Sequence, residues 1–147
     1  MSNLEEAVEL VLFSAYVKDR RLLSLLLVAK QEEAKTAVLD EYAHLPKISR
    51  INDLSVFGLS NKFLPMIYQG RLNHIIIPDL INILQRDPHS FNTLKNLLHS
   101  LMEEGVTELQ TKYLRWSSER PLYCGVLTAT TFISISPRRW QRWLSDG

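Results

Sequence analysis

LLSLLLVAKQEEAKTAVLDEY, residues Leu22–Tyr42, joins three pieces of different character. The first, Leu22–Ala29, is apolar except for Ser24 and has the length of a strand. It is far short of the roughly 20 residues that a membrane-spanning helix needs. An unbroken apolar run fits a strand covered on both faces, as in a parallel sheet, although periodicity alone does not separate it from a buried helix. A polar turn follows, then Lys35-Thr36, then a helix-like run to Tyr42. The order is therefore strand, polar loop, and a lysine–hydroxyl pair at a helix start.

Upstream of this stretch, Ser2 and Glu5 have the spacing of a capping box. Leu4, Val8, Val11, Leu12 and Ala15 recur at helical spacing, which predicts an amphipathic helix from Asn3 to Val17. The four charges Lys18–Arg21 break it. Downstream, Pro46 marks a break and Ile48–Leu54 reads as a second strand, with Asp53 near its end. Leu59–Tyr68 reads as a short helix disturbed by Pro65 and closed by Gly70. Ile75–Ile77 is β-branched and apolar, hence a buried strand. Pro78 lacks the donor to continue it and leaves Asp79 just past the carboxyl end.

Asp87-Pro88 opens the clearest helix, with Leu94, Leu97, Leu98, Leu101 and Met102 as its apolar stripe and Gly105 as its C-terminal cap. Val106–Leu114 then reads as a strand, Ser117–Pro121 as a turn and Leu122–Thr131 as a buried strand. A last helical segment starts at Pro137 and carries Trp140, Trp143 and Leu144. Strands alternating with helices predict an α/β fold, a mostly parallel sheet flanked by helices, in a single domain over residues 1–147. Ligands of such sheets sit beyond the carboxyl ends of the strands, where Lys35, Asp79 and Thr128–Thr131 are expected to converge.

Composition bounds this further. The 147 residues are 46% hydrophobic and 22% charged, ordinary globular usage, and the formal net charge of +1 gives no global attraction for nucleic acid. One cysteine, Cys124, excludes an intrachain disulfide and a cysteine zinc cluster, which fits a reducing cytoplasm. The acidic start (Glu5, Glu6, Glu9) is unlike a secretory signal. The expectation is a cytoplasmic protein with no membrane partner. The four histidines show no HExxH or close metal spacing and most of them read as surface or capping residues, and no GxSxG elbow is present.

Ala29–Thr36, AKQEEAKT, resembles the Walker A motif of P-loop NTPases with alanine, Ala29 and Ala34, at both glycine positions. HIIIPD, His74–Asp79, resembles Walker B, with Pro78 before the aspartate and Leu80 where many members place a glutamate. GVLTATT, Gly125–Thr131, resembles the sensor strand of AAA+-like and phage-type motor ATPases, and SPRRWQRW resembles the arginine-bearing segment after it. The resemblance covers roughly Leu22 to Arg142. It implies that the loop framed by Ala29, Glu33 and Ala34 wraps the phosphates of ATP, and that Lys35 neutralises their charge. It further implies that Thr36 and Asp79 hold Mg2+, that Thr128 or Thr130 meets the γ-phosphate, and that Arg138, Arg139 or Arg142 reaches a neighbour's nucleotide in a homo-oligomer. Asp53 is the candidate water-polarising carboxylate.

Two departures from the motif bear on affinity. Alanine in the left-handed geometry that glycine permits costs on the order of 1–2 kcal/mol. Glu32 and Glu33 add negative charge beside a polyphosphate, about 4 kcal/mol for each at roughly 4 Å and an effective dielectric of about 20, before magnesium or lysine offsets it. Weakened ATP binding is the expectation. Two functions are then open: an ATPase that drives change in nucleic acid or protein, and an inactive P-loop-like binding or assembly module. The chain is also expected to stop short of the further strands or lid with which related ATPases continue.

Overall fold

The computed structural model of the protein describes residues 3–17, 22–29, 33–51, 58–78, 88–110 and 115–131. Its elements, in chain order, are α1 (Asn3–Phe13), β1 (Leu25–Ala29), α2 (Glu33–Tyr42), β2 (Ile48–Arg50), α3 (Leu64–Tyr68), β3 (His74–Ile77), α4 (Pro88–Met102), β4 (Val106–Gln110), β5 (Arg115–Leu122) and β6 (Gly125–Thr131). A 3-10 turn, Ser14–Tyr16, extends α1, and a π-helical turn, Leu59–Phe63, leads into α3.

Four strands form one sheet in the order β1-β6-β3-β2, every pair parallel. The chain thus steps from β1 to the far edge at β2 and returns through β3 to β6. Crossovers of a single hand require the outward step and the return steps to run over opposite faces. The packing agrees. Leu39 of α2 joins Val8 and Val11 of α1 on the face carrying Leu27, Ile76, Leu127 and Ala129. Leu64 and Ile67 of α3, with Phe91, Leu94, Leu98 and Leu101 of α4, cover Ile75, Ile77 and Val126 on the other. Burial on both faces explains the unbroken apolar run in β3, all four of whose residues are buried, whereas the edge strand β1 buries Leu27 and half-buries Leu25 and Leu26. The expected α/β class, with a parallel sheet flanked by helices, is what the structure has.

Element boundaries depart from the sequence reading where side chains intervene. The helix expected to reach Val17 gives up α geometry at Phe13. The Ser14 hydroxyl bonds back to the Val11 carbonyl and also accepts the Leu23 N–H at 2.8 Å. Ser24 in turn accepts the Val126 N–H at 2.9 Å, so the lead-in to β1 is pinned before the strand begins at Leu25. The helix over Leu59–Tyr68 is irregular around Pro65, as expected: a π-helical turn, Leu59–Phe63, runs directly into α3, whose first turn holds the proline. Gly70, at φ +73°, closes that unit as expected, and Gly105, at φ +85°, closes α4.

The larger correction concerns residues 106–124. Ser117–Pro121, expected as a turn, is part of β5, which pairs antiparallel with β4 in a separate two-stranded sheet. A two-stranded ribbon has only edges, so the polar residues Ser117–Arg120 and the donorless Pro121 fit it without burial. The strand expected over Leu122–Thr131 is divided at Tyr123-Cys124: Leu122 ends β5, and β6 starts at Gly125. Glycine is required there by close approach, because a Cβ would lie 2.5 Å from His74 Nε2 and 2.6 Å from the Leu23 carbonyl oxygen. Among the described residues no helix is long and apolar enough to cross a membrane.

Candidate functional site

Parallel strands share a polarity, so the carboxyl ends of β1, β6, β3 and β2 lie along one edge. Register fixes their relative heights. Leu26, Thr128 and Ile77 form one row across β1, β6 and β3, and β1 and β6 run on together to the pairs Val28–Thr130 and Ala29–Thr131. Lys35 and Asp79, which follow β1 and β3, are expected to converge beyond this edge. Their strands are not neighbours: β6 lies between β1 and β3, which puts the two backbones roughly 10 Å apart, two strand spacings. Chain leaving β1 goes to the α2 face and chain leaving β3 goes to the α4 face. In parallel sheets, ligands sit beyond the carboxyl ends where successive connections diverge to opposite faces.

Only residues 30–32 separate β1 from α2, and Lys35-Thr36 fall in the first turn of that helix. The first N–H groups of a helix have no partner within it, and the positive end of the helix dipole lies on that side. Ala29 ends β1 and Ala34 is the second residue of α2. Both take ordinary strand and helix backbone, and Lys47 is the described non-glycine residue at positive φ. The left-handed strain expected of alanine therefore does not arise at either position. The backbones of Glu33, Lys35, Thr36 and Thr130 are placed by α2 and β6; their side chains, and the residues Asp53, Asp79, Arg138, Arg139 and Arg142, lie outside the described residues.

Thr128 is described in full. Strand alternation turns it to the face of Val126, and it is buried among apolar neighbours with no hydrogen-bond partner for Oγ1. An orphaned buried hydroxyl costs on the order of 1–3 kcal/mol and calls for an explanation. The Thr130 backbone lies two residues nearer the carboxyl edge, paired with Val28.

The opposite, amino-terminal edge of the sheet carries a feature with no sequence motif. His74 departs from the surface or capping place expected of most of the histidines and is buried at the start of β3. Its Nε2 lies 3.2 Å from the Leu23 carbonyl. A carbonyl only accepts, so Nε2 holds the proton and Nδ1 is left as an acceptor. Burial lowers the pKa of this ring, the Leu23 bond only partly opposing it, so the neutral form prevails near pH 7. His74, Tyr42, Glu9 and Lys47 line a cavity of about 250 Å³ there. Tyr42 donates to Glu9 at 3.2 Å. No residue spacing announces this group, because it is assembled from four separate elements.

Two further buried groups differ in how visible they were. Lys95 is buried on the core side of α4, its Nζ 5.4 Å from the Phe91 ring centroid. Its place is legible in the sequence, since Phe91, Leu94, Lys95 and Leu98 follow helical spacing. Cys124 is a buried core residue as expected, and burial pushes its thiol up to about 12. Compared with known proteins, the chain matches no family model and no curated sequence.

Proposed function

We propose that the carboxyl edge of β1, β6 and β3 binds ATP with Mg2+, and that the chain is a P-loop-type ATPase domain acting on nucleic acid or protein. The observation that carries this is one of order: an apolar strand runs through three residues into a helix with Lys35-Thr36 in its first turn, and a threonine-bearing strand, β6, lies between that strand and β3. In this proposal the α2 N-terminus and Lys35 take the phosphate charge, which backbone N–H groups and an ammonium both favour. Thr36 and Asp79 supply the hard oxygen donors that magnesium prefers, from the two sides of β6. Thr130 or Thr128 meets the terminal phosphate from below. The orphaned Thr128 hydroxyl fits a strand whose polar groups serve a bound ligand rather than the fold. Asp53 is the candidate base and Arg139 the candidate finger in a homo-oligomer.

A second function is favoured by specific residues. Ala29 and Ala34 replace the loop glycines, and Leu80 follows Asp79 where a catalytic glutamate would stand. These departures suit a module that binds nucleotide or partner without turnover. Phosphate release from Mg·ATP, compared between the wild type and Lys35→Ala, separates the two. Release that falls with the substitution marks an ATPase; nucleotide binding without release marks the module. Release equal in both proteins removes Lys35 from the site.

A further inference from the structure

His74 opens β3 with Ile48 of β2 on one side and Gly125 of β6 on the other. Strand alternation gives it the facing of Ile76, which packs with Val8, Val11 and Leu39 on the α1 and α2 side of the sheet. The ring therefore enters the layer that also holds Leu12, Tyr42 and Ile48, all three in the lining of the cavity at this edge. One edge of the ring is already taken. A Cβ on Gly125 would lie 2.4 Å from His74 Cδ2 and 2.5 Å from Nε2, and Nε2 donates to the Leu23 carbonyl. Gly125 and Leu23 belong to the β6 and β1 side. The opposite edge of the ring, with Nδ1, faces β2, where Pro46, Lys47 and Ile48 line the cavity.

Nδ1 is thus an acceptor on a side chain 1% exposed, and Leu23 is the one hydrogen-bond partner of its ring among the described residues. A buried acceptor without a partner costs free energy, which a donor seated in the cavity would recover. The rest of the lining says what carries that donor. Tyr42 and Glu9 satisfy each other at 3.2 Å. Glu9 and Lys47 bring one charge of each sign and burial keeps His74 neutral, so the lining selects no net charge. Its walls are otherwise aromatic and aliphatic, Phe13, Tyr16 and Leu45 among them, and flat rings pack against such faces. A volume of about 250 Å³ admits one ring or two fused rings. Phe13 and Tyr16 are 65% and 69% exposed, so the cavity opens to water.

We propose that this cavity binds a small neutral aromatic molecule, one or two rings with a single N–H or O–H, which donates to His74 Nδ1 while its ring packs against the aromatic walls. Indole and phenols are of this class. The site goes beyond the nucleotide reading and does not depend on it, since it lies at the other end of the strands.

The test titrates the full chain with indole and with benzofuran, which has the same shape and an oxygen in place of the N–H, by isothermal calorimetry. Indole should bind saturably and benzofuran about tenfold more weakly, the scale of a buried acceptor left unpaired. His74→Phe removes the acceptor and should bind the two molecules alike. Ala15→Trp, which puts a large side chain into the half-buried lining, should bind neither. Circular dichroism verifies that the variants fold; should His74→Phe not, the wild type and Ala15→Trp carry the test. Absence of saturable indole binding would overturn the proposal. So would equal binding of the two molecules to the wild type, a preference for indole that survives in His74→Phe, or undiminished binding by Ala15→Trp.

Discussion

Thr128 and His74 are both polar groups buried in the sheet, and they bear on stability in different ways. Thr128 leaves a hydroxyl without a partner, so Thr128→Val keeps the shape and removes the desolvation cost. Unfolding in urea should show the variant unchanged or more stable by about 1 kcal/mol. If the hydroxyl serves a ligand, the same variant should lose stabilisation by Mg·ATP. A variant destabilised by more than about 1 kcal/mol would mean that the hydroxyl has a structural partner after all. His74 concerns pH. Its folded pKa is lowered by burial from an ordinary value of 6.5, so the unfolded chain takes up a proton that the folded ring resists. The stability it contributes is present above about pH 6.5 and is lost as pH falls toward the folded pKa. Between about pH 7.5 and about pH 5.5 the wild type should lose more stability than His74→Gln does; parallel curves would contradict the assignment.

At the scale of elements, the end of α4 and the hairpin that follows are held through Gly105. Its φ of +85° is left-handed, and a Cβ there would lie 2.5 Å from Pro121 Cβ and 2.9 Å from Tyr123 Cζ. Gly105→Ala should therefore cost about 2 kcal/mol or more, from backbone strain and from displaced hairpin residues together. Thermal unfolding measures it, and an unchanged midpoint would contradict the cap geometry. This glycine was legible in the sequence as a helix stop, because an apolar stripe of period 3.6 ends just before it. The hairpin itself was not. Ser117–Arg120 lack apolar alternation because both edges of a two-stranded ribbon face water, and composition alone then resembles a turn. What ties the ribbon down is non-local: Arg120 Nη2 donates to the Tyr68 carbonyl at 2.6 Å, and its guanidinium lies 5.4 Å from the Tyr68 ring centroid. Contacts between residues 52 positions apart leave no local signature.

At the scale of the whole molecule, the α/β class and the buried strands were readable from unbroken apolar runs bounded by charges, proline and glycine. The strand order was not, since β6 enters between β1 and β3 only through long crossovers whose destination no local pattern records. The proposed nucleotide edge was readable from its lysine–threonine pair, whereas the cavity at the amino-terminal edge was not, because Glu9, Tyr42, Lys47 and His74 come from separate parts of the chain. The central claim is that the short link from β1 into α2 receives a polyphosphate, with Lys35 as its principal charge. Titration of the full chain with mant-ATP and magnesium, beside Lys35→Ala, tests it most directly. Saturable, magnesium-dependent fluorescence that weakens at least about tenfold in the variant is the predicted result, the scale of one lost charge-assisted contact. Identical curves for the two proteins, or no saturable signal from the wild type, would contradict it.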